Sequence, residues 1–371
     1  MHSALSSIGD VPALSGYTLG ELQDELSFLQ KFRSKQIFKW IAKGVPDFDA
    51  MSDLPASLRA ELKTRYTIRS GFVQTKLDAP DGTVKLQIVL VDGAAVEAVL
   101  LIDGEDRKTA CLSTQVGCPM GCAFCRTGTL GFLRNLSPAE IVDQFHFLQD
   151  SCGPISNVVI MGMGEPLLNL EALRVAIGIL CDSEGLGLSK RRFTLSTCGI
   201  ADGIRSLADS GPDVRLALSL TTADQQLRER LMPITRTEPL DRIKPALDYF
   251  QKHQKKRITL EAVLLSGLNT RLEDAEALAL FAEGLDVVVN LIPWNPVEGV
   301  GLDGEPFREP PESEISHYER MLAERGLNVT RRYKKGRGVS GACGQLGTTL
   351  LNTVSGISHA ERTGSGNNLD L

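Results

Sequence analysis

Beyond residue 105 the chain repeats one pattern six times, a short apolar run followed by an amphipathic helix. Candidate strands are ACLSTQV (110–116), NVVIMG (157–162), FTLSTC (193–198), VRLALSL (214–220), ITLEAVL (258–264) and DVVVNLI (286–292). Helical patterns lie between them at SPAEIVDQFHFLQ, NLEALRVAIGILC, the stretch after Asp202, LDRIKPALDYFQKH and LEDAEALALFAE, with PESEISHYERMLAER after the last. Apolar strands alternating with helices predict a parallel sheet covered by helices, and right-handed crossovers curl such a sheet. Six units fall short of the eight that close a barrel. The expected fold is therefore α/β, an open partial (β/α)6 barrel whose wide mouth suits a large substrate.

The rest of the chain divides by period. Residues 1–68 read as a small helical module, with LGELQDELSFLQ, SKQIFKWIAKG and SDLPASLRAELKTRY as its helices, Ser34 and Ser52 as N-caps and Gly44 as a stop. Over 69–104 the period changes to two. There KLQIVLV and AVEAVLLI, joined across Asp92-Gly93, predict a hairpin that connects the module to a core spanning 105–350. The small, polar tail over 351–371 is expected to be disordered. No run of about 18 apolar residues is present, so no membrane span is expected. The start MHSALSSIGDVPALSG lacks the basic and apolar regions of a signal peptide, and a cytoplasmic protein is expected. A net charge of −6 argues against a basic footprint over the whole surface and leaves room for a local one.

Three cysteines, Cys118, Cys122 and Cys125, stand in GCPMGCAFC. With 8 Cys in 371 residues, this spacing arises by chance roughly 0.004 times. A [4Fe–4S] cluster is normally held by four thiolates, and three leave one iron open to bind and activate a small molecule. Zinc would call for a second ligand pair downstream, which is missing, and the five histidines fall singly. In a reducing compartment clustered cysteines read as metal or catalytic groups rather than disulfides. The loop follows the first strand, at the carboxyl-end mouth where barrel active sites collect. GMGEP (162–166), Ser196, Ser219 and Asn295 lie at other strand ends. Glycines at 162 and 164 let a ligand approach the backbone, and Glu165 can accept hydrogen bonds from an ammonium group. Read from the residues alone, Cys111 is a packed strand residue, Cys343 a loop cysteine and Glu97 the solvent face of the hairpin. Cys152, Cys181 and Cys198 read as structural.

CxxxCxxC with a GGEP-like turn resembles the radical S-adenosylmethionine (SAM) superfamily. More closely, TQVGCPMGCAFCRTGTLGFLRNL, GMGEPLLN, LSTCGI, LALSL, RLMPITRTEPL, NLIPWNP and GACGQL resemble, in order and spacing from about residue 20 to 350, the RlmN/Cfr family of RNA adenine methyltransferases. The resemblance implies that Cys118, Cys122 and Cys125 hold a [4Fe–4S] cluster with SAM on the fourth iron. It implies that Gly164, Glu165, Ser196, Ser219, Leu220, Thr221 and Asn295 line the SAM site. Cys343 corresponds to the methyl-carrying cysteine, Cys111 to the second mechanistic cysteine and Glu97 to a proposed proton acceptor. The family often has His-Ala after Ser-Leu, where this chain has Thr221-Thr222.

The chemistry makes these roles intelligible. The aromatic C2 and C8 carbons of adenine are electrophilic and cannot attack a sulfonium, so a radical route is needed. In the family mechanism Cys343 takes a methyl group from one SAM, and a radical from a second SAM activates it for addition to the base. Cys111 then attacks the Cys343 sulfur to release the product, leaving a disulfide that external electrons reduce. The run Arg331-Arg332-Tyr333-Lys334-Lys335-Gly336-Arg337 precedes the Cys343 loop. Its Arg331, Arg332, Lys334 and Lys335 are the expected phosphate contacts, whereas Lys252 to Arg257 read as a solvated face. The expectation is a cytoplasmic monomer that methylates C2 of a 23S rRNA adenosine and, as a second substrate, tRNA, served by an electron donor such as flavodoxin or ferredoxin. C8 methylation, as in Cfr, and a non-catalytic iron–sulfur sensor stand as alternatives.

Overall fold

The structure, a computed structural model, describes residues 11–103, 107–332 and 335–347. The alternation builds one ten-stranded sheet whose spatial order is its chain order. Strands β1 (Gly71–Asp78), β2 (Val84–Leu90), β3 (Ala95–Asp103) and β4 (Arg107–Cys111) form an antiparallel meander. From β4 onward every pairing is parallel, through β5 (Asn157–Ile160), β6 (Phe193–Thr197), β7 (Arg215–Ser219), β8 (Ile258–Leu264), β9 (Val287–Pro293) and β10 (Val329–Arg331). The end strands β1 and β10 do not pair, so the sheet stays open.

The helices are α1 (Leu19–Glu25), α2 (Lys31–Ala42), α3 (Ala56–Arg65), the short α4 (Arg126–Thr129), α5 (Pro138–Cys152) and α6 (Leu170–Cys181). They continue with α7 (Ala201–Ser210), α8 (Gln225–Leu231), α9 (Leu240–Gln254), α10 (Leu272–Ala282) and α11 (Glu312–Glu324). The parallel strands are joined through helices, as crossovers require. One apolar cluster runs from Leu14, Leu22 and Ile37 in the N-terminal helices through the sheet to Leu322 in α11. The N-terminal helices thus share a core with the sheet.

Several local expectations are corrected. The hairpin gains a third strand, β1, whose residues alternate between half-buried and exposed. The first parallel strand ends at Cys111 because Gln144 of α5 captures the next backbone groups. Its Oε1 accepts from Ser113 N at 2.8 Å and its Nε2 donates to Ser113 O at 3.0 Å. Gln115–Gly117 pairs instead with Phe132–Asn135 in a separate two-stranded ribbon. Ser34 is buried inside α2, whose N-cap is Gln30, and Pro55 rather than Ser52 caps α3. Gly44, at φ +84°, does follow the C-cap of α2. The tail over 351–371 lies outside the described residues.

Candidate active site

Two cavities open at the carboxyl ends of the parallel strands. One is lined by Cys118, Cys122, Cys125, Gly164, Glu165, Ser196, Ser219, Thr221 and Asn295, with Cys198, Glu261 and Cys343. The other is lined by Cys111, Cys125, Asn295, Arg332, Lys335 and Cys343. Cys125, Asn295 and Cys343 belong to both walls, so the cavities meet at the Cys343 loop. Leu220 is fully buried in the core and contributes to neither lining.

The turn after β5 positions Glu165. Gly164 has φ +104°, and a Cβ there would stand 2.6 Å from Gln115 Cβ. Gln115 Oε1 in turn accepts from Glu165 N at 2.8 Å. The Glu165 carboxylate accepts from Thr197 Oγ1 at 2.7 Å, Cys198 N at 2.8 Å and Leu167 N at 3.1 Å. It is buried and has no ion-pair partner among the described residues. Burial pushes its pKa up, the situation an incoming ammonium would relieve. Opposite, Ser196 Oγ lies 3.0 Å from Ser219 Oγ and donates to Glu261 Oε2 at 2.9 Å. Thr221 holds φ +62°, unusual for a β-branched residue, and its buried Oγ1 has no hydrogen-bond partner among the described residues. A carboxylate, a hydroxyl pair and an orphaned hydroxyl around one cavity fit a ligand that carries an ammonium and sugar hydroxyls, as SAM does.

The three motif cysteines fit a cluster: all three line the cavity, and in a cubane each thiolate binds a different iron, leaving the fourth open. Burial pushes the Cys118 and Cys125 thiols up, so the anionic form needs a metal to supply its counter-charge.

The Cys343 loop is clamped over this mouth from several elements. Asn295 Nδ2 donates to Cys343 O at 3.1 Å, Arg126 N to Gly344 O at 2.7 Å and Thr127 Oγ1 to Leu346 O at 2.8 Å. Gly347 N donates to Glu97 Oε2 at 2.8 Å. Glu97 is therefore not on a solvent face. It is fully buried, paired with Lys85 at 3.1 Å, and tied to the loop that carries Cys343. Cys111 is pushed up to about 12, first by burial and then by charge on Cys343, while Arg332 acts in the opposite sense. Charge on Cys343 in turn pushes Arg332 up.

The basic run therefore divides. Arg332 turns into the cavity of the two thiols. Arg331 pairs with Glu312 and, at 2.7 Å, with Glu319. Lys335 pairs with Asp103 at 2.7 Å, and Lys334 lies outside the described residues. Glu261, on β8, and Cys198, just after β6, join the site without a sequence signal that marks them as site residues, while Arg332, expected as a phosphate contact, lines the cavity of the two thiols. The N-terminal helices add exposed Phe28 and Phe32, with Arg65 and Arg33 at 4.2 and 4.8 Å from the respective ring centres.

Comparison with known proteins agrees with this geometry. Residues 112–282 match the radical SAM superfamily model, and residues 17–68 match the ribosomal RNA large subunit methyltransferase N-terminal domain. A probable dual-specificity RNA methyltransferase RlmN of Treponema pallidum is 52% identical over 337 residues, 91% of this chain and 98% of that protein. The dual-specificity RNA methyltransferase RlmN of Syntrophotalea carbinolica is 41% identical over 90% of this chain and 89% of its own length. The crystal structure of a radical SAM methyltransferase from Sphaerobacter thermophilus superposes with a TM-score of 0.86 at 38% identity, covering 91% of this chain and 99% of that one. This chain, with its [4Fe–4S] cluster and its use of SAM, belongs to the RlmN family of radical SAM dual-specificity RNA methyltransferases.

Proposed function

We propose that this protein methylates C2 of an adenosine in 23S rRNA at the peptidyl-transferase centre, with tRNA as a second substrate, through a methyl group carried on Cys343. The carrying observation is that Cys111 and Cys343 line one cavity, and that Cys343 also lines the neighbouring cavity with the cluster cysteines. The names of the relatives and of the N-terminal family model support ribosomal RNA and a second RNA class. C2 is preferred to C8 on the same ground.

Cys118, Cys122 and Cys125 would hold the cluster. Glu165 would take the amino group of SAM, and Gly164, Ser196, Ser219, Thr221 and Asn295 would complete its site, whereas Leu220 packs in the core behind it. When bound, the cluster and SAM supply the one-electron chemistry that reaches carbons closed to polar methyl transfer. Cys343 receives the methyl group through its sulfur, with Arg332 as the cation beside the thiolate. Once the methyl carbon is joined to the base, Glu97 would take up the proton that is lost, and the unpaired electron would return to the cluster. Cys111, giving up its proton, would then bond to the Cys343 sulfur as the sulfur–carbon bond breaks, and the released carbon would take up a proton to become the methyl group. Burial keeps Cys111 a thiol at rest, so it does not react prematurely. The resulting disulfide requires two electrons from a donor such as flavodoxin or ferredoxin. Arg331, Lys334 and Lys335 would contact phosphate at the rim, since surface ion pairs such as those of Arg331 and Lys335 exchange partners at little cost. Phe28 and Phe32 would receive unpaired bases of loop RNA. The protein acts as a monomer in the cytoplasm, where these RNAs are found.

The test is anaerobic incubation of the cluster-loaded protein with SAM, a reductant and a 23S rRNA fragment, followed by mass spectrometry of the nucleosides. We expect 2-methyladenosine. 8-Methyladenosine would overturn the C2 assignment, and no methylated adenosine with SAM intact would overturn the catalytic reading. Cys111→Ala should accumulate as an RNA-shifted band on denaturing gels that ribonuclease removes and that additional Cys343→Ala abolishes. Normal turnover by Cys111→Ala would make Cys111 a packing residue.

A further inference from the structure

The largest fully buried side chain among the described residues is a cation with no ion-pair partner among them. Arg228 of α8 is 0% exposed and heads the largest fully buried side chains. Its guanidinium donates only to neutral oxygens: Nε to Leu220 O at 3.1 Å, Nη1 to Thr235 Oγ1 at 2.6 Å, and Nη2 to Cys198 O at 2.7 Å and Ser219 O at 3.4 Å. Among the described residues no carboxylate forms an ion pair with it. Arginine does not shed its proton in proteins, so a buried guanidinium needs an anion to offset its desolvation. The surroundings show where that anion belongs. Cys198, whose carbonyl takes the Nη2 hydrogen bond, lines the cavity with Cys118, Cys122 and Cys125.

We infer that Arg228 is the built-in counter-charge of the iron–sulfur cluster, holding its reduction potential up so that the electron needed for SAM cleavage can be accepted. A four-iron core on three thiolates is a net anion, and one electron from the external donor makes it a stronger one. A fixed cation nearby stabilises the reduced form more than the oxidised form, and the low-dielectric surroundings screen it weakly. Arg228 thus acts through the cluster, as a positioning charge rather than as a group that touches the reacting atoms. The inference rests on Cys118, Cys122 and Cys125 as the cluster ligands.

The test uses the full chain, loaded anaerobically with iron and sulfide and titrated with dithionite under electron paramagnetic resonance. Arg228→Gln keeps hydrogen-bond donors without charge, and Arg228→Lys keeps charge without the planar fork. At the wild-type midpoint, Arg228→Gln should show a reduced-to-oxidised ratio at least tenfold lower, about 59 mV for one electron. Arg228→Lys should stay within about threefold of wild type, and both should bind iron as wild type does. An unchanged midpoint in Arg228→Gln overturns the inference, as does an Arg228→Lys that falls as far as Arg228→Gln. If cluster-free Arg228→Gln fails to fold by circular dichroism, the side chain is a clamp for carbonyls and the inference is equally overturned. Failure of the ligand reading is distinguishable: Cys122→Ala would then bind as much iron as wild type.

Discussion

Thr221 shows how far single residues can be read from sequence. Where the family often carries His-Ala, this chain places a β-branched residue at φ +62° with a buried, unpaired hydroxyl. Such strain persists only where surrounding structure imposes it. Thr221→Val keeps the shape and removes the hydroxyl, so thermal stability should not fall, while SAM affinity should weaken by about 1 kcal/mol, roughly fivefold. Equilibrium dialysis on cluster-loaded protein measures this, and an unchanged affinity would remove Thr221 from the SAM site. The motif cysteines divide by role in the same way. Changing Cys118, Cys122 or Cys125 to Ala should abolish the brown chromophore and the bound iron, whereas Cys343→Ala should keep both. Iron loss in Cys343→Ala equal to that in Cys122→Ala would defeat the division. Those cysteines were legible because their spacing is local. Glu261 was not, because the direction of a strand side chain follows from pairing with residues far away in sequence. The solvent-face reading of Glu97 fails for the same reason: alternation gave its strand a face, and the Cys343 loop covers that face.

At the scale of elements, apolar runs longer than four residues gave the parallel strands from β5 to β9 with small errors at their ends. What they could not give was the three-residue β10, whose VTR carries too little apolar pattern to stand out from a loop. Nor could they show where β4 stops, since Gln144, 31 residues away from Ser113, decides it. The turn after β5 combines both kinds of information. Gly164 was legible as a position for close approach, but the cause is Gln115, whose Cβ and backbone N would stand 2.6 and 2.8 Å from an added Cβ. Gly164→Ala would strain a positive φ and push Gln115 away from Glu165. We expect a stability loss of about 1–3 kcal/mol in thermal unfolding and at least a tenfold loss of SAM affinity, on the order of 1.4 kcal/mol. Iron content should be retained, because Cys118, Cys122 and Cys125 lie on a different loop. Wild-type SAM binding by Gly164→Ala would show that the turn does not set the carboxylate.

Across the whole molecule, the N-terminal helices and the sheet are joined by a buried polar seam that no motif announces. Arg69 donates to Gly44 O at 2.9 Å and pairs at 3.4 Å with both Asp143 and Asp150 of α5. Asp143 also accepts from Ser70 N at 2.6 Å and Ser70 Oγ at 2.7 Å. Beside them His146 of α5 is buried against Ser15, Tyr17, Phe38 and Ile41, and its Nδ1 has no hydrogen-bond partner among the described residues. Burial first, and then the Arg69 charge, push His146 down to about 3. The folded protein therefore excludes a proton that the unfolded chain accepts near pH 6.5. Stability is complete above that value and is lost progressively as pH falls toward 3. Asp143 and Asp150, both pushed up by burial, act in the opposite sense and return stability as pH falls. The histidine's own contribution at pH 5 is about 2 kcal/mol of lost stability. His146→Leu should remove that slope: its unfolding midpoint should fall less than that of wild type between pH 7 and 5, whatever its stability at pH 7. Parallel decline of the two proteins over that range would show that the seam does not sense acid through His146.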